Sequence, residues 1–415
     1  MSIPYYDIII IGSGMSGLYS AYNIKKDAPN TKFLILEKYH KEWLGGRTSN
    51  ETFYDTQVVT GAGIGRKDTN PLLIKLMTHL GIQFKEFYSV MDYSTLLQPI
   101  DIVKVINVLK ESYEKQPQLH GLTFKQFFIK ILGSKLYKQF LISAGYTDYE
   151  DADLYETLFN YGMDDNQGGW TGLYVPWKQI VETLYKIIGK QHFRFHNNVV
   201  KVNKIRENPC VFKIVTEENN VYYCNRVIVA TTISGIQKLV PDKYGLYKQI
   251  HGQPFLRLYG KFDKKSTSIM QECVKNYTIV PGPLQKIIPI DATKGVYMIA
   301  YSDNTNAVAL KEHLKNTPEN RKILCDLIEF SLDIPLGSLK LIAIKDFYWP
   351  IGTHYFEPLK APFRNRDDFL KIAQHPEKGM LVVGEAVSRY QGWVEGALMS
   401  VEAVLTRDWV SNYCL

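Results

Sequence analysis

Tyr6-Asp7-Ile8-Ile9-Ile10-Ile11-Gly12-Ser13-Gly14-Met15-Ser16-Gly17-Leu18 is the stretch from which the rest of the chain takes its order. Residues 8–11 are a continuous run of isoleucine. The run is too short for a membrane span and suits a strand buried on both faces of a parallel sheet. Gly12, Gly14 and Gly17 follow at G-x-G-x-x-G spacing, and residues 18–24 read as helix. In that arrangement the first glycine permits a tight turn out of the strand, the second lets a pyrophosphate approach the backbone, and the third lets the helix pack close to the sheet. The helix N-terminus adds free N–H groups and a partial positive charge.

The spacing alone is a weak signal, but its context strengthens it. Residues 31–36 form a second apolar strand, and Glu37 stands at its end, 20 residues past Gly17. A carboxylate at that point accepts hydrogen bonds from an adenosine ribose.

At 415 residues the chain has room for a large core and two intertwined domains. A formal charge of +7 is mild for this length and is not gathered in a tail, so nucleic-acid binding is not implied. The cysteines Cys210, Cys224, Cys273, Cys325 and Cys414 are odd in number and form no C-x-x-C pair. This argues against a disulfide framework or a zinc site and fits a reducing compartment. The first strand begins almost at once, no stretch is long and apolar enough for a bilayer, and the terminal Asn-Tyr-Cys-Leu is no lipidation box. The expectation is a soluble, cytoplasmic protein with no signal peptide, no integral membrane segment and no metal.

Further along, Gly45-Gly46-Arg47 offers backbone N–H groups and a charged fork to a diphosphate. Thr60-Gly61-Ala62-Gly63-Ile64-Gly65 is a second glycine-rich loop without a P-loop lysine. It suits close approach to a flat ring system. A helix is expected over 70–80, extended chain over 82–93, and several helices over 99–161 as a cap. Residues 179–188 form an amphipathic helix. Residues 193–202, 211–215, 221–223 and 226–231 read as strands returning to the nucleotide domain. Residues 255–262, 295–301 and 341–347 read as strands of a second sheet. Residues 379–385 form a strand ending in Gly384-Glu385, and 391–397 lead into a last helix over 398–409.

With these stretches in hand the chain resembles the flavin-containing amine oxidase family, which includes monoamine and polyamine oxidases. The resemblance rests on residues 11–17 with Glu37, on Gly45-Gly46-Arg47, on residues 60–63, on Trp349-Pro350-Ile351-Gly352, and on Gly384-Glu385 with residues 392–397. The C-terminal pair is the most specific, and the middle third matches by layout only. The resemblance implies FAD bound in an extended form. Gly12, Gly14, Ser16, Gly17 and Glu37 would hold its AMP half. Gly45, Gly46, Arg47 and Glu385, with Gly384, would lie along the diphosphate and ribityl chain, and Gly61 and Ala62 beside the ring. Val199 matches the position whose backbone meets adenine, and Val394 the approach to the flavin ring. Trp393 matches one wall of an aromatic cage in front of the ring, which steers an amine by stacking and cation–π attraction; the second wall falls on His354 or Tyr355.

Two departures stand out. Covalent members carry a cysteine where this chain has Thr353, so the FAD is expected to be non-covalent. Most members place a lysine, linked through water to the flavin, where this chain has Arg257, and an arginine does not readily deprotonate. On an amphipathic strand Arg257 would otherwise face solvent.

The expected fold is α/β. A discontinuous Rossmann-type FAD domain takes residues 1–80, 190–250 and 365–415, and a substrate domain of mixed sheet and helical cap takes 81–189 and 251–364. The expected activity is oxidation of a primary or secondary amine, a polyamine among the candidates. Hydride passes to the flavin, an imine hydrolyses, and oxygen is reduced to hydrogen peroxide. Trp393, His354, Tyr355 and Arg257 are the candidate catalytic positions. The rivals are an L-amino-acid oxidase or desaturase on the same fold, with Arg257 clamping a carboxylate, and a structural flavoprotein with little turnover.

Overall fold

In the computed structural model, which describes residues 5–163 and 168–411, the four isoleucines form the second half of strand β1 (Tyr5–Ile11). β1 lies between two parallel neighbours, β2 (Phe33–Leu36) and the strand Val221–Val229. Ile8 and Ile10 face a core shared with helix α1 (Met15–Asp27), whereas Ile9 and Ile11 face a second core on the other side. Side chains of a strand alternate between faces, so a run without polar alternation is what two covered faces require.

The complete sheet has seven strands. Val221–Val229 is its hub. It pairs with β1 along one side, antiparallel with Val211–Thr216 over its first half on the other, and parallel with Met380–Val382 over its last three residues. Phe193–Arg194 closes the edge beyond β2, and Val199–Arg206 the opposite edge. The helix Trp177–Ile188, inside the stretch assigned by sequence to the substrate domain, shares its core with α1.

A second sheet of six strands runs in the order Leu341–Phe356, Ile250–Phe262, Val296–Asp303, Lys286–Asp291, Tyr277–Ile279, Met91–Tyr93. Pro350 sits on the edge strand, in a bulge where Gln253 pairs with Thr353 and Phe255 with Trp349. Its missing N–H therefore interrupts no ladder. The cap is built on Ile102–Lys115 and Phe124–Ala144 around a core of Phe124, Phe127, Phe128, Phe140 and Tyr149. Phe124–Ala144 opens on a Thr123/Gln126 capping box and bends at Gly133, where φ is +84°.

Two expectations shift. The strand Lys286–Asp291 went unread, because it opens on a lysine and carries Pro289. The last helix is two pieces, Val394–Glu402 and Arg407–Ser411. Among the described residues Cys224, Cys273 and Cys325 are free thiols, no group of side chains is placed to hold a metal, and no helix is long and apolar enough to cross a membrane. Cys414 and the terminal tetrapeptide lie outside the described residues.

Candidate functional site

The two sheets border a cavity of about 1630 Å3. It can be built contact by contact from the first glycine loop. Gly12 has a φ of +103°, and a Cβ there would sit 2.4 Å from the Ala230 carbonyl oxygen. A Cβ on Gly17 would sit 2.1 Å from the Gly12 oxygen. Both glycines are demanded by the fold itself. Gly14 differs: its backbone is extended and a Cβ would meet nothing within 4 Å. The space in front of Gly14 is the cavity. A bare backbone on that side leaves room for a ligand to approach it closely.

Gly45 bridges to Gly14 and donates its N–H to the Ser13 carbonyl at 3.0 Å. Gly45 and Gly46 both have positive φ, so the loop turns its backbone toward the same opening. Glu37 is buried at the end of β2. One carboxylate oxygen accepts from the Ser13 N–H at 2.8 Å and Oγ at 2.6 Å, and the other from the Tyr39 N–H at 2.9 Å. Ser16 and Val199 are buried against the same wall. An extended dinucleotide fits this surface: bare glycine backbone, a helix N-terminus, and a carboxylate at the end of β2.

Arg47 continues the path. Its Nη1 donates to the Gly352 carbonyl at 2.6 Å and to Glu385 Oε1 at 3.1 Å. Its own carbonyl accepts from Ala62 at 2.7 Å, and a Cβ on Gly61 would press within 2.4 Å of it. Glu385 is buried after Gly384 and also accepts from His354 Nδ1 at 2.5 Å and from the Gly392 N–H at 3.1 Å. Burial pushes this carboxyl up, but His354, Arg47 and Gly392 together overcome it and hold it down at about 2. Val394 opens its helix, and Glu395 ties that helix to the amides of Leu72 and Leu73.

Trp393 lies at the helix N-cap and lines the cavity. Tyr390 stacks on it with ring centroids 6.0 Å apart. The Arg66 guanidinium lies 4.8 Å from its ring centroid and 4.6 Å from that of Trp170. Of the two residues expected to supply a second wall, His354 lines the cavity and Tyr355 does not. His354 is spent on Glu385 and on the Ile233 amide. Tyr355 points out of the cavity lining and stacks on His251 at 5.2 Å. Trp170 is the indole that shares the Arg66 guanidinium with Trp393.

Arg257 is not a solvent-facing residue: it is buried and lines the cavity. Its Nε donates to the Gly61 carbonyl at 2.6 Å, Nη1 lies 3.7 Å from Met298 Sδ, and the guanidinium carbon is 4.2 Å from the Tyr301 centroid. Arg257 and Tyr301 are cross-strand partners, which sets this stack. Sequence reading missed Arg66, Trp170, Tyr146, Asp148 and Tyr301, all in the cavity lining, and Lys286 directly behind them. The readable signals were the Gly168-Gly169-Trp170 turn and a Tyr146-Thr147-Asp148-Tyr149 run breaking the helical cap.

A family profile described as flavin containing amine oxidoreductase matches residues 109–301, and one described as NAD(P)-binding Rossmann-like domain matches residues 10–80. A 57-residue segment is 39% identical to an uncharacterized protein of Acanthamoeba polyphaga mimivirus; it is 14% of this chain and 11% of that protein's length. Among solved structures, cyclohexylamine oxidase from Brevibacterium oxydans is similar at a TM-score of 0.75 and 16% identity, over 96% of this chain and 98% of its own. Putrescine oxidase bound to putrescine is similar at 0.71 and 14%, with the same coverage of 96% and 98%.

Proposed function

We propose, for a chain that belongs to the flavin-containing amine oxidase family, that it binds FAD without a covalent link and oxidises a primary or secondary amine to an imine, with release of hydrogen peroxide. The observation that carries this reading is the continuous cavity wall from Glu37 through Gly14, Gly45 and Arg47 to Trp393. It joins a surface for an extended dinucleotide to an aromatic chamber. When bound, the flavin supplies the hydride acceptor that no side chain can provide, and oxygen then takes the electrons.

In this reading the chain does the positioning. The bare backbone of Gly14, Gly45 and Gly46 and the N-terminus of α1 receive the diphosphate, Glu37 the ribose, and the Val199 backbone the adenine. Arg47 and Glu385 cross-brace the two loops over the cofactor's middle. The N-terminus of the Val394–Glu402 helix favours negative charge on the reduced ring. Thr353 offers no thiol for attachment. Trp393 packs the amine and excludes water.

Arg257 favours a second reading. Among the described residues its guanidinium faces a carbonyl, a thioether and a phenol ring but no carboxylate. A substrate carboxylate, as in an amino acid, would complete it. Peroxide release from a panel of amines and amino acids separates the two. Release from neither class, with FAD bound, would leave a flavoprotein without this turnover.

A further inference from the structure

Asp148 follows the cap helix, just past the left-handed Gly145. Its main chain is pinned to the second sheet: its carbonyl accepts from Gln253 Nε2 at 2.6 Å, and that nitrogen lies 3.5 Å from Thr353 Oγ1. The side chain is partly exposed, and the exposure is to the cavity. Its Oδ1 accepts from the Tyr161 hydroxyl at 2.5 Å, and the backbone amide of Asp148 adds a further pull toward the charged form. Asp148 thus lines the chamber together with Tyr146 and Tyr301.

Behind this wall Lys286 is fully buried, and its Nζ has no hydrogen-bond partner among the described residues. The nitrogen sits 2.9 Å from the Tyr146 centroid and 4.4 Å from the Tyr301 centroid. An unpartnered ammonium is costly in such a place, and a buried lysine relieves the cost by losing its proton. Burial pushes Lys286 down to about 7 against the opposing pull of Asp303 and Asp148. Burial pushes Asp148 up to about 7, Asp303 adds to this, and Tyr161 and Lys286 hold it back. Asp303 is itself enclosed by the Thr147 N–H and hydroxyl and by Gln285 Nε2, and Arg257 is the remaining cation felt at Lys286.

Resting on the amine-oxidase reading, we propose that Asp148 receives the substrate's amino group and takes its proton, with Lys286, while protonated, as the positioning residue that favours the charged form of Asp148. An amine arrives protonated at neutral pH, and hydride leaves only from the carbon beside a free nitrogen lone pair. One N–H bond of the substrate ammonium breaks and one O–H bond forms on Asp148; no electrons are exchanged in this step. The proton returns to solvent as product departs. The assignment covers simple amines and amino acids alike, since both bring the same group.

The test is anaerobic flavin reduction by the best amine of the panel, followed from about pH 5.5 to 9.5 in the FAD-loaded protein. The parent's kcat/KM is expected to fall below about pH 7, where Asp148 is protonated. In Asp148→Asn the acid limb should move up toward the ordinary amine range near pH ~10, with a loss of ~100-fold or more at pH 7. Asp148→Glu should restore part of it. Tyr161→Phe and Lys286→Met each remove a group favouring the charged carboxylate, so each should shift the acid limb upward by about one pH unit. They decide the matter if Asp148→Asn loses its flavin. A parent reduced by amine, with an Asp148→Asn profile and KM unchanged, removes Asp148 and leaves the oxidase standing. An unmoved limb in both Tyr161→Phe and Lys286→Met also overturns the assignment. A parent that no amine reduces overturns both readings together.

Discussion

His354 donates its Nδ1 proton to Glu385 at 2.5 Å while its Nε2 accepts the Ile233 amide proton at 3.1 Å. One ring therefore serves two loops: it holds the carboxylate after Gly384 and satisfies the first free amide of the helix Ile233–Leu239. Replacing it by alanine leaves the buried Ile233 amide without a partner and the buried Glu385 carboxylate with one donor fewer, held only by Arg47 and Gly392. His354→Ala should destabilise the protein by about 2–4 kcal/mol, read as a lower melting temperature with and without added FAD. Melting unchanged from the parent would show that water substitutes fully.

The same pair sets an acid limit. Glu385 has a folded-state pKa held at about 2, below its ordinary value of 4.5. Its contribution is thus present above about pH 4.5 and lost as pH falls toward 2. The shift corresponds to about 3 kcal/mol. Stability measured by denaturant melts should drop across this window, and Glu385→Gln should be less stable at pH 7 yet flatter below pH 4.5.

Gly14 and Gly17 should fail differently. Gly14→Val leaves every protein contact in place, because no atom lies near the added Cβ; the chain should fold with native circular dichroism and lose its flavin. Gly17→Val drives a side chain into the Gly12 carbonyl, so loss of fold should accompany loss of flavin. Full flavin occupancy in Gly14→Val would place the cofactor elsewhere.

Flavin should come away intact from the purified protein on acid or heat denaturation, since Thr353 lacks a thiol. Chromatography of the supernatant checks for FAD. Flavin retained on the precipitated chain would contradict the non-covalent assignment.

Trp393→Ala should keep its yellow colour and slow flavin reduction by amine. Loss of one aromatic face removes about 0.5–2 kcal/mol of cation–π attraction and also frees Arg66 from one of its two indoles. Trp393→Tyr should stay near the parent. Stopped-flow reduction compares them, and equal rates in Trp393→Ala would make this tryptophan a packing residue only.

The parts of the fold legible in the sequence are the local ones. Ile8 to Ile11, Gly12 and Gly17 announce themselves because strand, turn and helix follow one another within 20 residues. His354 was not legible as a clamp, because its meaning depends on Glu385, 31 positions on, and Ile233, 121 positions back. Arg257 read equally well as a surface residue; only the strand beside it, carrying Tyr301, turns it inward. Asp148 and Lys286 carry no motif at all. They meet because the cap loop folds onto the interior strand Lys286–Asp291 of the second sheet, a pairing that periodicity does not encode.

The cross-brace between Arg47 and Glu385 joins positions 338 residues apart. Met380–Val382, just before it, adds the last of the seven strands to the hub. A nascent chain carrying the glycine loop, but not yet Gly384, has the floor of the nucleotide groove and no wall above its middle. Such separation makes closure slow, because the long intervening loop must be organised before these contacts form. In the proposed reading cofactor capture is a late event in biogenesis, and added flavin is expected not to rescue a polypeptide truncated ahead of Gly384. Until that point the incomplete edge of Val221–Val229 is exposed to other chains, which makes premature termination an aggregation hazard rather than a simple loss of activity.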